Sequence, residues 1–362
     1  QLEQEDYRRV QKTLRKERRF GQTVFNERHR EDDLLRELVM QRHLRRLRAR
    51  IRRLKFIDVA ATYRKLFADP DMASGFIEPN HLPPLWPRVC SLTVERLDRG
   101  ELLYEDAAPF LYLQETIEGF RANMNVRHVL IDEAQDYSPF QFEFLKKLFP
   151  LSRMTVLGDP NQTVQSHGAV AGFESIAALF GPGTAETIHL TRTYRSTRPI
   201  VEFTRSMLPD GDRIEPFNRD GEIPTVTAAA DSSDLHAKIA DRLRALQHEP
   251  FKTIAVICKT ARESAEAYEA LRTRVEAPLH LITKESVSFE TGIVVIPSYL
   301  AKGIEFDAVI VYDGSRTKYG KETERKLFYT VCTRAMHRLY IYHVGAMSPF
   351  IEEADRSTYN VT

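Results

Sequence analysis

The chain has 362 residues, of which 42% are hydrophobic and 28% are charged. This length exceeds what a single hydrophobic core organises well, so two domains are expected. Cys90, Cys258 and Cys332 are too far apart in sequence to indicate a local metal cluster or a disulfide framework, which favours a reducing compartment. No apolar run reaches membrane-spanning length and no secretory leader pattern occurs, so we expect a cytoplasmic protein without a membrane partner.

The net charge of +1 conceals an uneven distribution, because residues 1–55 contain 18 Lys and Arg against 9 Asp and Glu. Apolar residues recur in this segment at three- and four-residue spacing, at Leu44, Leu47, Ile51 and Leu54. The spacing predicts a long amphipathic helix with an arginine-rich face. That face either contacts phosphates or a partner protein, or only keeps an exposed helix solvated. The candidate contact residues are Arg45, Arg46, Arg52 and Arg53. Since the chain begins with Gln1 inside this pattern, we expect a fragment of a longer protein.

From Val126 onward, short apolar runs alternate with amphipathic helical patterns. The runs are 128-HVLI-131, 154-MTVL-157, 187-TIHL-190, 253-TIAVIC-258, 279-LHLI-282, 293-IVVI-296, 308-AVIVY-312 and 339-LYIYH-343. The helical patterns are at 138–149, 231–247, 260–273 and 322–336. This alternation predicts an α/β fold in which parallel sheets are covered on both faces. A segment rich in Pro, Gly and Asp at 209–224 predicts a domain boundary near that point.

Two acidic or polar segments directly follow predicted strands. Asp132 and Glu133 come after the first run, where one carboxylate can hold Mg²⁺ and its neighbour can activate water. In 154-MTVLGDPNQTV-164, Gln162 can hydrogen-bond a γ-phosphate or an attacking water. Taken singly, either segment can also be an ordinary turn, and for GDPNQ alone the turn is the better explanation.

Three further segments carry groups suited to nucleotides. In 189-HLTRTYRST-197, Tyr194 offers a flat ring and Arg195 a guanidinium for phosphate. The segment 297-PSYLAKGIEFDAVIVYD-313 places Lys302, Gly303 and Glu305 in a turn before a strand. In 327-LFYTVCTRAMHRLYIY-342, Arg334 lies near the end of a predicted helix, where it is either an arginine finger or a salt-bridged surface residue.

The segments DEAQD, GDPNQ, TYRS, KGIEFD and YTVCTRA occur in this order, and together they resemble the motor core of the UvrD/Rep-like superfamily one helicases. The resemblance extends over about residues 126–345. It implies two RecA-like P-loop NTPase-type domains, an incomplete first one ending in 126–205 and a second at 206–362. A basic helical region, 1–125, is then inserted in or leads into the first. Such motors use ATP and Mg²⁺ and move along single-stranded DNA, usually from 3′ to 5′.

The resemblance also implies roles for individual residues. Asp132 would coordinate Mg²⁺, Glu133 would be the catalytic base and Gln162 would sense the γ-phosphate. The nucleotide-contacting residues would be Tyr194 near the adenine, Arg195 and Arg334 at the γ-phosphate, and Gly303 and Glu305 in the turn that approaches the ribose. Lys302 and His167 are candidates for nucleic-acid or partner contact.

The sequence departs from the family pattern in three respects. It contains no GxxxxGK[ST] phosphate loop, so we expect the isolated chain neither to bind ATP tightly nor to hydrolyse it, with the missing part upstream of Gln1. The segment 163-TVQSHGAV-170 lacks the aromatic residue that helps relatives stack DNA bases, so a weaker grip on DNA is expected. Only 107 positions separate Arg195 from Lys302, too few for a large accessory insertion.

The arginine-rich helix, the short second domain and the weakened strand-gripping loop together resemble the HelD branch, helicase-like ATPases that bind RNA polymerase and release it from stalled complexes. An RNA polymerase partner is therefore one expectation. A 3′ to 5′ DNA helicase acting in repair, and a non-catalytic fragment that holds a partner, are the alternatives.

Overall fold

The computed structural model describes residue 12 and residues 57–162, 173–181, 183–286 and 291–362. Its contacts divide the chain into two compact units, residues 1–121 and residues 122–362. The predicted arginine-rich helix and the loop that contains His167 lie outside the described residues. Among the helices that are described, none is long and apolar enough to cross a membrane.

In the first unit, three described helices pack through their apolar faces. They are α1 (Val59–Ala68), α2 (Trp86–Asp98) and α3 (Tyr104–Glu118), with short 3-10 helices at Pro70–Gly75 and Pro79–His81. Asp58 caps α1 by accepting a hydrogen bond from the Ala61 amide at 3.0 Å. The buried Tyr63 of α1 donates its hydroxyl to Asp106 of α3 at 2.8 Å, which joins these two helices.

The second unit begins with a small parallel sheet. Its two strands are β1 (His128–Ile131) and β2 (Arg153–Val156), and they are accompanied by helices α4 (Pro139–Leu148) and α5 (Phe173–Leu179). Ser138 and Gln141 form a reciprocal capping box at the start of α4, with hydrogen bonds of 2.7 and 3.3 Å. Buried Ile131, Phe142 and Ile176 form the core between sheet and helices. This core fixes the end of β1, from which Asp132 and Glu133 emerge.

A short parallel strand pair and a large sheet follow. The pair is β3 (Arg192–Thr193) with β4 (Glu215–Pro216). The large sheet has seven strands: β5 (Thr225–Ala229), β6 (Thr253–Cys258), β7 (Leu279–Leu281), β8 (Gly292–Pro297), β9 (Phe306–Val311), β10 (Ala335–Val344) and β11 (Asn360–Val361). They are parallel throughout, in the order β11-β5-β10-β9-β6-β8-β7. The helices of this region are α6 (Arg198–Ser206), α7 (Ser232–Leu246), α8 (Ala261–Leu271), α9 (Ser298–Ala301), α10 (Arg325–Cys332) and α11 (Pro349–Glu352).

Both faces of the large sheet are buried, which explains why its strands are nearly continuous apolar runs. Successive residues of β6 alternate between two cores: Ile257 packs in the layer that contains Phe328, and Val256 packs in the layer that contains Leu243. A parallel sheet requires this double cover because its crossover helices lie on its faces. The predicted α/β fold with parallel sheets is therefore confirmed.

Two expectations about individual elements were wrong. The run 187-TIHL-190 is not a strand, and its Ile188 and Leu190 are 74% and 88% exposed. An apolar run becomes a strand only where a neighbouring strand supplies hydrogen bonds, and composition does not reveal that neighbour. The helix predicted at 322–336 ends at Cys332, because β10 begins at Ala335 and pairs with β9. Strand β5 was not predicted at all, since its TVTAA sequence carries little apolar signal.

Candidate nucleotide-binding site

The first part of the site is the turn that follows β1. Glu133 has φ +52° and ψ +39°, and it is the one non-glycine residue in the described ranges with positive φ. The Glu133 amide donates to the Asp132 carboxylate at 2.8 Å, which stabilises this left-handed turn. Strained backbone of this kind is retained where a side chain must be aimed, and here the turn presents two carboxylates at the end of the sheet.

A single buried side chain, Gln135, connects the β1 turn with the loop after β2. Its side-chain amide nitrogen donates to Glu133 Oε2 at 2.7 Å and to the Gln162 carbonyl at 3.3 Å. Its amide oxygen accepts from the Asp159 backbone at 3.1 Å. Gln135 is only 2% exposed, so these hydrogen bonds are shielded from water. The position of Glu133 is thereby tied to the position of the Gln162 segment.

This connection requires a glycine at position 158. A β-carbon placed on Gly158 would lie 2.4 Å from the Gln135 amide oxygen, 2.9 Å from Phe173 and 3.1 Å from the Ala134 backbone nitrogen. Contacts this short force the side chain or the loop to move. Gly158 therefore allows the two loops to approach each other.

We expect Gly158→Ala to lower the free energy of unfolding of the 122–362 unit by about 1–3 kcal/mol, because Gln135 must give way to the added methyl group. Urea denaturation of the purified variant measures this. Gly75→Ala is the control for the substitution itself: it lies in the 1–121 unit with no atom within 4 Å of its added β-carbon, so it should leave the unfolding of the 122–362 unit unchanged. A Gly158→Ala variant as stable as the Gly75→Ala variant would contradict the tight packing of Gln135 on Gly158.

Gln162 and Arg334 form the second contact of the site. The Gln162 side-chain nitrogen donates to Asp159 Oδ2 at 2.9 Å. The Gln162 amide oxygen therefore faces Arg334 and accepts a hydrogen bond from Arg334 Nη2. Arg334 lies between α10 and β10, is 1% exposed, and donates from Nε to the Thr330 carbonyl at 3.1 Å. A buried guanidinium with two fixed acceptors cannot swing freely toward solvent.

Lys302 brings a second cation to the acidic turn. Its ammonium group lies 2.5 Å from Asp136 Oδ2 and 3.2 Å from Glu133 Oε2, and its side chain is 10% exposed. The next residue, Gly303, has φ +76°, a conformation that glycine adopts without strain. This turn places Lys302 against the carboxylates while the chain continues into β9.

The third contact is an ion pair between Arg195 and Glu305, whose side chains are 41% and 37% exposed. Burial lowers the pKa of Arg334, and the charge of Arg195 lowers it further, whereas the carboxylates of Glu133 and Glu305 raise it. The charges of Arg195, Glu133 and Glu305 therefore all act on the Arg334 guanidinium. Next to them, the Tyr194 ring is 60% exposed and packs against Phe217 with the ring centroids 4.8 Å apart.

The structure thus brings together most of the residues singled out in the sequence. Glu133 meets Lys302, Gln162 meets Arg334, and Arg195 meets Glu305. The groups from the small sheet follow its strands, whereas Lys302, Glu305 and Arg334 precede β9 or β10. The rule that ligands bind at the carboxyl ends of strands therefore locates only half of this cluster. The pairing of Lys302 with Asp136 and the Tyr194–Phe217 ring contact had no signal in the sequence.

Asp132 has the properties of a partial magnesium site. One carboxylate oxygen holds the Glu133 amide, and the residue is exposed, which leaves its other oxygen accessible to a ligand. In the described ranges, no group of three or more His, Cys, Asp or Glu side chains could hold a metal by itself. Mg²⁺ commonly takes one or two carboxylates and completes its shell with phosphates and water. The residues present fit such a site.

The chain is thus an α/β protein with a small and a large parallel sheet, and residues next to both sheets form one cluster of carboxylate, amide and guanidinium groups. The profile of the UvrD/REP helicase N-terminal domain matches residues 6–169, and that of the UvrD-like helicase C-terminal domain matches residues 292–342. Together the two matches cover more than half of the chain. The chain belongs to the UvrD/Rep helicase family.

Individual relatives show the same likeness. The chain is 39% identical over 88 residues to the ATP-dependent DNA helicase srs2 of Schizosaccharomyces pombe, covering 23% of this chain and 10% of that protein. It is 25% identical over 307 residues to a putative ATP-dependent DNA helicase, R568, of Acanthamoeba polyphaga mimivirus, covering 75% and 43%. A solved C-terminal domain of a possible DNA helicase from Lactobacillus plantarum is 34% identical, with a TM-score of 0.41, over 47% of this chain and 98% of that domain. The chain spans at most half the length of the curated relatives that it matches.

Proposed function

We propose that this chain supplies the catalytic base and the charge-stabilising arginines of an ATP-dependent DNA translocase. The observation that carries the proposal is the contact of Gln162 with Arg334, beside the contact of Glu133 with Lys302. These partners are far apart in sequence, yet they meet at a point where side chains next to both sheets could contact one nucleotide. Members of the family named as DNA helicases support DNA as the nucleic acid.

In the proposed reaction, Glu133 accepts a proton from the water that attacks the γ-phosphate, and Gln162 orients that water or the phosphate. Asp132 would hold Mg²⁺, which neutralises phosphate charge when bound. Arg334 and Arg195 stabilise the negative charge that develops during transfer, and Glu305 accepts hydrogen bonds from the ribose hydroxyls. Gln135 holds the Glu133 carboxylate at a fixed position relative to Gln162. The proton acceptor and the group that orients the water or the phosphate are thereby kept in register.

The isolated 362-residue chain is proposed to be a poor ATPase. Its sequence contains no GxxxxGK[ST] segment, and the described site offers carboxylates and arginines without the backbone nest that cradles the β-phosphate. We therefore expect little Mg²⁺-dependent turnover from this chain. A full-length protein that carries a phosphate loop is expected to hydrolyse ATP, and a coupled phosphate-release assay on the two proteins compares them directly.

A second candidate function is the recycling of RNA polymerase in the manner of HelD proteins. It is favoured by one observation on the segment between Arg198 and Ala301. The helices and strands of the α/β fold itself occupy this segment, namely α6, α7, α8, α9 and β4–β8. The described ranges there, which omit 287–290, contain no accessory domain of the kind that processive helicases carry. We propose a cytoplasmic location for either function.

The two candidates are separated by one measurement on the full-length protein. ATP hydrolysis is followed alone, with single-stranded DNA, and with purified RNA polymerase core enzyme. A DNA translocase gives a large stimulation by DNA alone, whereas a polymerase-recycling ATPase binds the polymerase and responds weakly to DNA. Turnover at ordinary helicase rates by the isolated chain would contradict the proposal that this chain needs a phosphate loop from elsewhere.

A further inference from the structure

The pair of exposed aromatic rings beside Arg195 is held in a fixed arrangement. Strands β3 and β4 pair in parallel with Arg192 opposite Glu215 and Thr193 opposite Pro216. The next residues along the two strands are Tyr194 and Phe217, which continue this register side by side. The Phe217 amide donates to the Thr193 carbonyl at 3.1 Å, so the main chain from which the Phe217 ring projects is fixed beside Thr193.

The segment after Phe217 is tied to the Tyr194 segment at further points. Arg219 Nη1 donates to the Arg195 carbonyl at 2.7 Å, and the Arg198 amide donates to the Arg219 carbonyl at 2.8 Å. Hydrogen bonds before and after the two rings therefore prevent the strands from separating. A ring pair constrained in this way is preorganised for a ligand, because little motion is lost when the ligand binds.

The two rings keep much of their surface free after packing on each other. Tyr194 is 60% exposed and Phe217 is 42% exposed, with 4.8 Å between the ring centroids and 43° between the ring planes. The tilt leaves a wedge-shaped apolar surface on which a flat ligand stacks on one ring and meets the edge of the other. Aromatic rings pack favourably on other flat rings, so an exposed ring pair beside charged groups suits a planar, partly polar molecule.

The neighbouring charges indicate which planar molecule this surface fits. Arg195 directly follows Tyr194 and carries a guanidinium suited to phosphate, and its partner Glu305 carries a carboxylate suited to hydroxyl groups. A molecule that contains a flat base, a polyhydroxylated sugar and a phosphate chain matches these three features together. We propose that Phe217 is a specificity-determining residue that completes a two-ring platform for the purine base of a nucleoside triphosphate. The inference rests on the proposed function and adds to it a residue and a preference for the base.

The test uses full-length protein with Phe217→Ala, and measures kcat and KM for ATP and for CTP. We expect the KM for ATP to rise by about tenfold with little change in kcat, because a stacking contact worth a factor of that size is lost while the phosphate chemistry is untouched. The KM for CTP, whose smaller base covers less of the platform, should rise less. Inorganic tripolyphosphate, which has no base, should inhibit both proteins with the same constant.

Phe217→Leu and Phe217→Tyr provide the matched controls. Leucine retains apolar volume without a ring and should behave like alanine, which keeps the test valid if the alanine variant folds poorly. Tyrosine retains the ring and should restore the KM for ATP to within about twofold of the wild-type value. An unchanged KM for ATP in Phe217→Leu would overturn the inference and leave the ring pair as packing only. Loss of affinity for single-stranded DNA with an unchanged KM for ATP would also overturn it. Failure of the wild-type full-length protein to hydrolyse ATP would instead refute the proposed function itself.

Discussion

Replacing Glu133 by Gln in the full-length protein is expected to lower ATP hydrolysis by about 10²–10⁴-fold while nucleotide binding remains nearly unchanged. The amide has almost the same shape as the carboxylate, so the turn after β1 and the contact with Gln135 can persist. It cannot accept the proton of the attacking water, and this proton transfer is the step assigned to Glu133. Single-turnover phosphate release and equilibrium binding of a fluorescent ATP analogue measure the two quantities separately.

Asp136→Asn is the matched control for this substitution. Asp136 lies in the same turn, and its Oδ2 lies 2.5 Å from the ammonium group of Lys302, but no proton transfer is assigned to it. Removing its charge should therefore reduce hydrolysis far less than removing that of Glu133. Normal turnover by Glu133→Gln, or equal loss in both variants, would show that Glu133 is not the general base.

The second large effect is expected for Arg334→Ala, which should reduce kcat by about 10³-fold in the full-length protein. The substitution removes the donor to Gln162 and a guanidinium placed to stabilise developing phosphate charge. Since Arg334 is 1% exposed, truncation also leaves a space beside Thr330 and Gln162. Thermal unfolding must therefore be measured together with kcat, so that lost stability is not mistaken for lost catalysis.

Two further variants distinguish position from charge at this site. Arg334→Lys keeps the charge but not the forked donor, so it should recover only a small part of kcat. Arg195→Ala removes a cation that is 41% exposed, so it should lower kcat with less effect on stability than Arg334→Ala. Full activity of Arg334→Lys would show that a cationic donor suffices and that the forked guanidinium is not required.

The fold could largely be predicted because most of its longer strands are local apolar runs. The runs at 253–258 and 308–312 are apolar at successive positions since both faces of the large sheet are covered, and a window of a few residues reveals this. The run at 187–190 has the same local pattern without being a strand, and TVTAA at 225–229 is a strand with little of that pattern. In both cases the deciding factor is a distant neighbour, β10 for β5, that no local window contains.

Candidate site residues could be singled out one by one from the sequence, but the contacts between them could not. Asp132, Glu133, Gln162, Arg195 and Arg334 were identified from motif order. That Lys302 lies against Asp136, or that Gln135 bridges two loops, depends on side-chain positions set by packing across the molecule. Phe217 could not be singled out from the sequence, because a phenylalanine in the segment PFN, among turn residues, looks like an ordinary loop residue. Only the register of β3 and β4 places Phe217 beside Tyr194.

The position of Lys302 has a consequence for ion competition in the acidic turn. Asp132, Glu133 and Asp136 lie within five residues, and the ammonium group of Lys302 is the counterion of two of them. A divalent cation that approaches this turn therefore meets carboxylates whose charge is already partly balanced. A cation that took Glu133 or Asp136 as a ligand would therefore have to displace Lys302, whereas a cation held by Asp132 alone would leave both ion pairs of Lys302 intact.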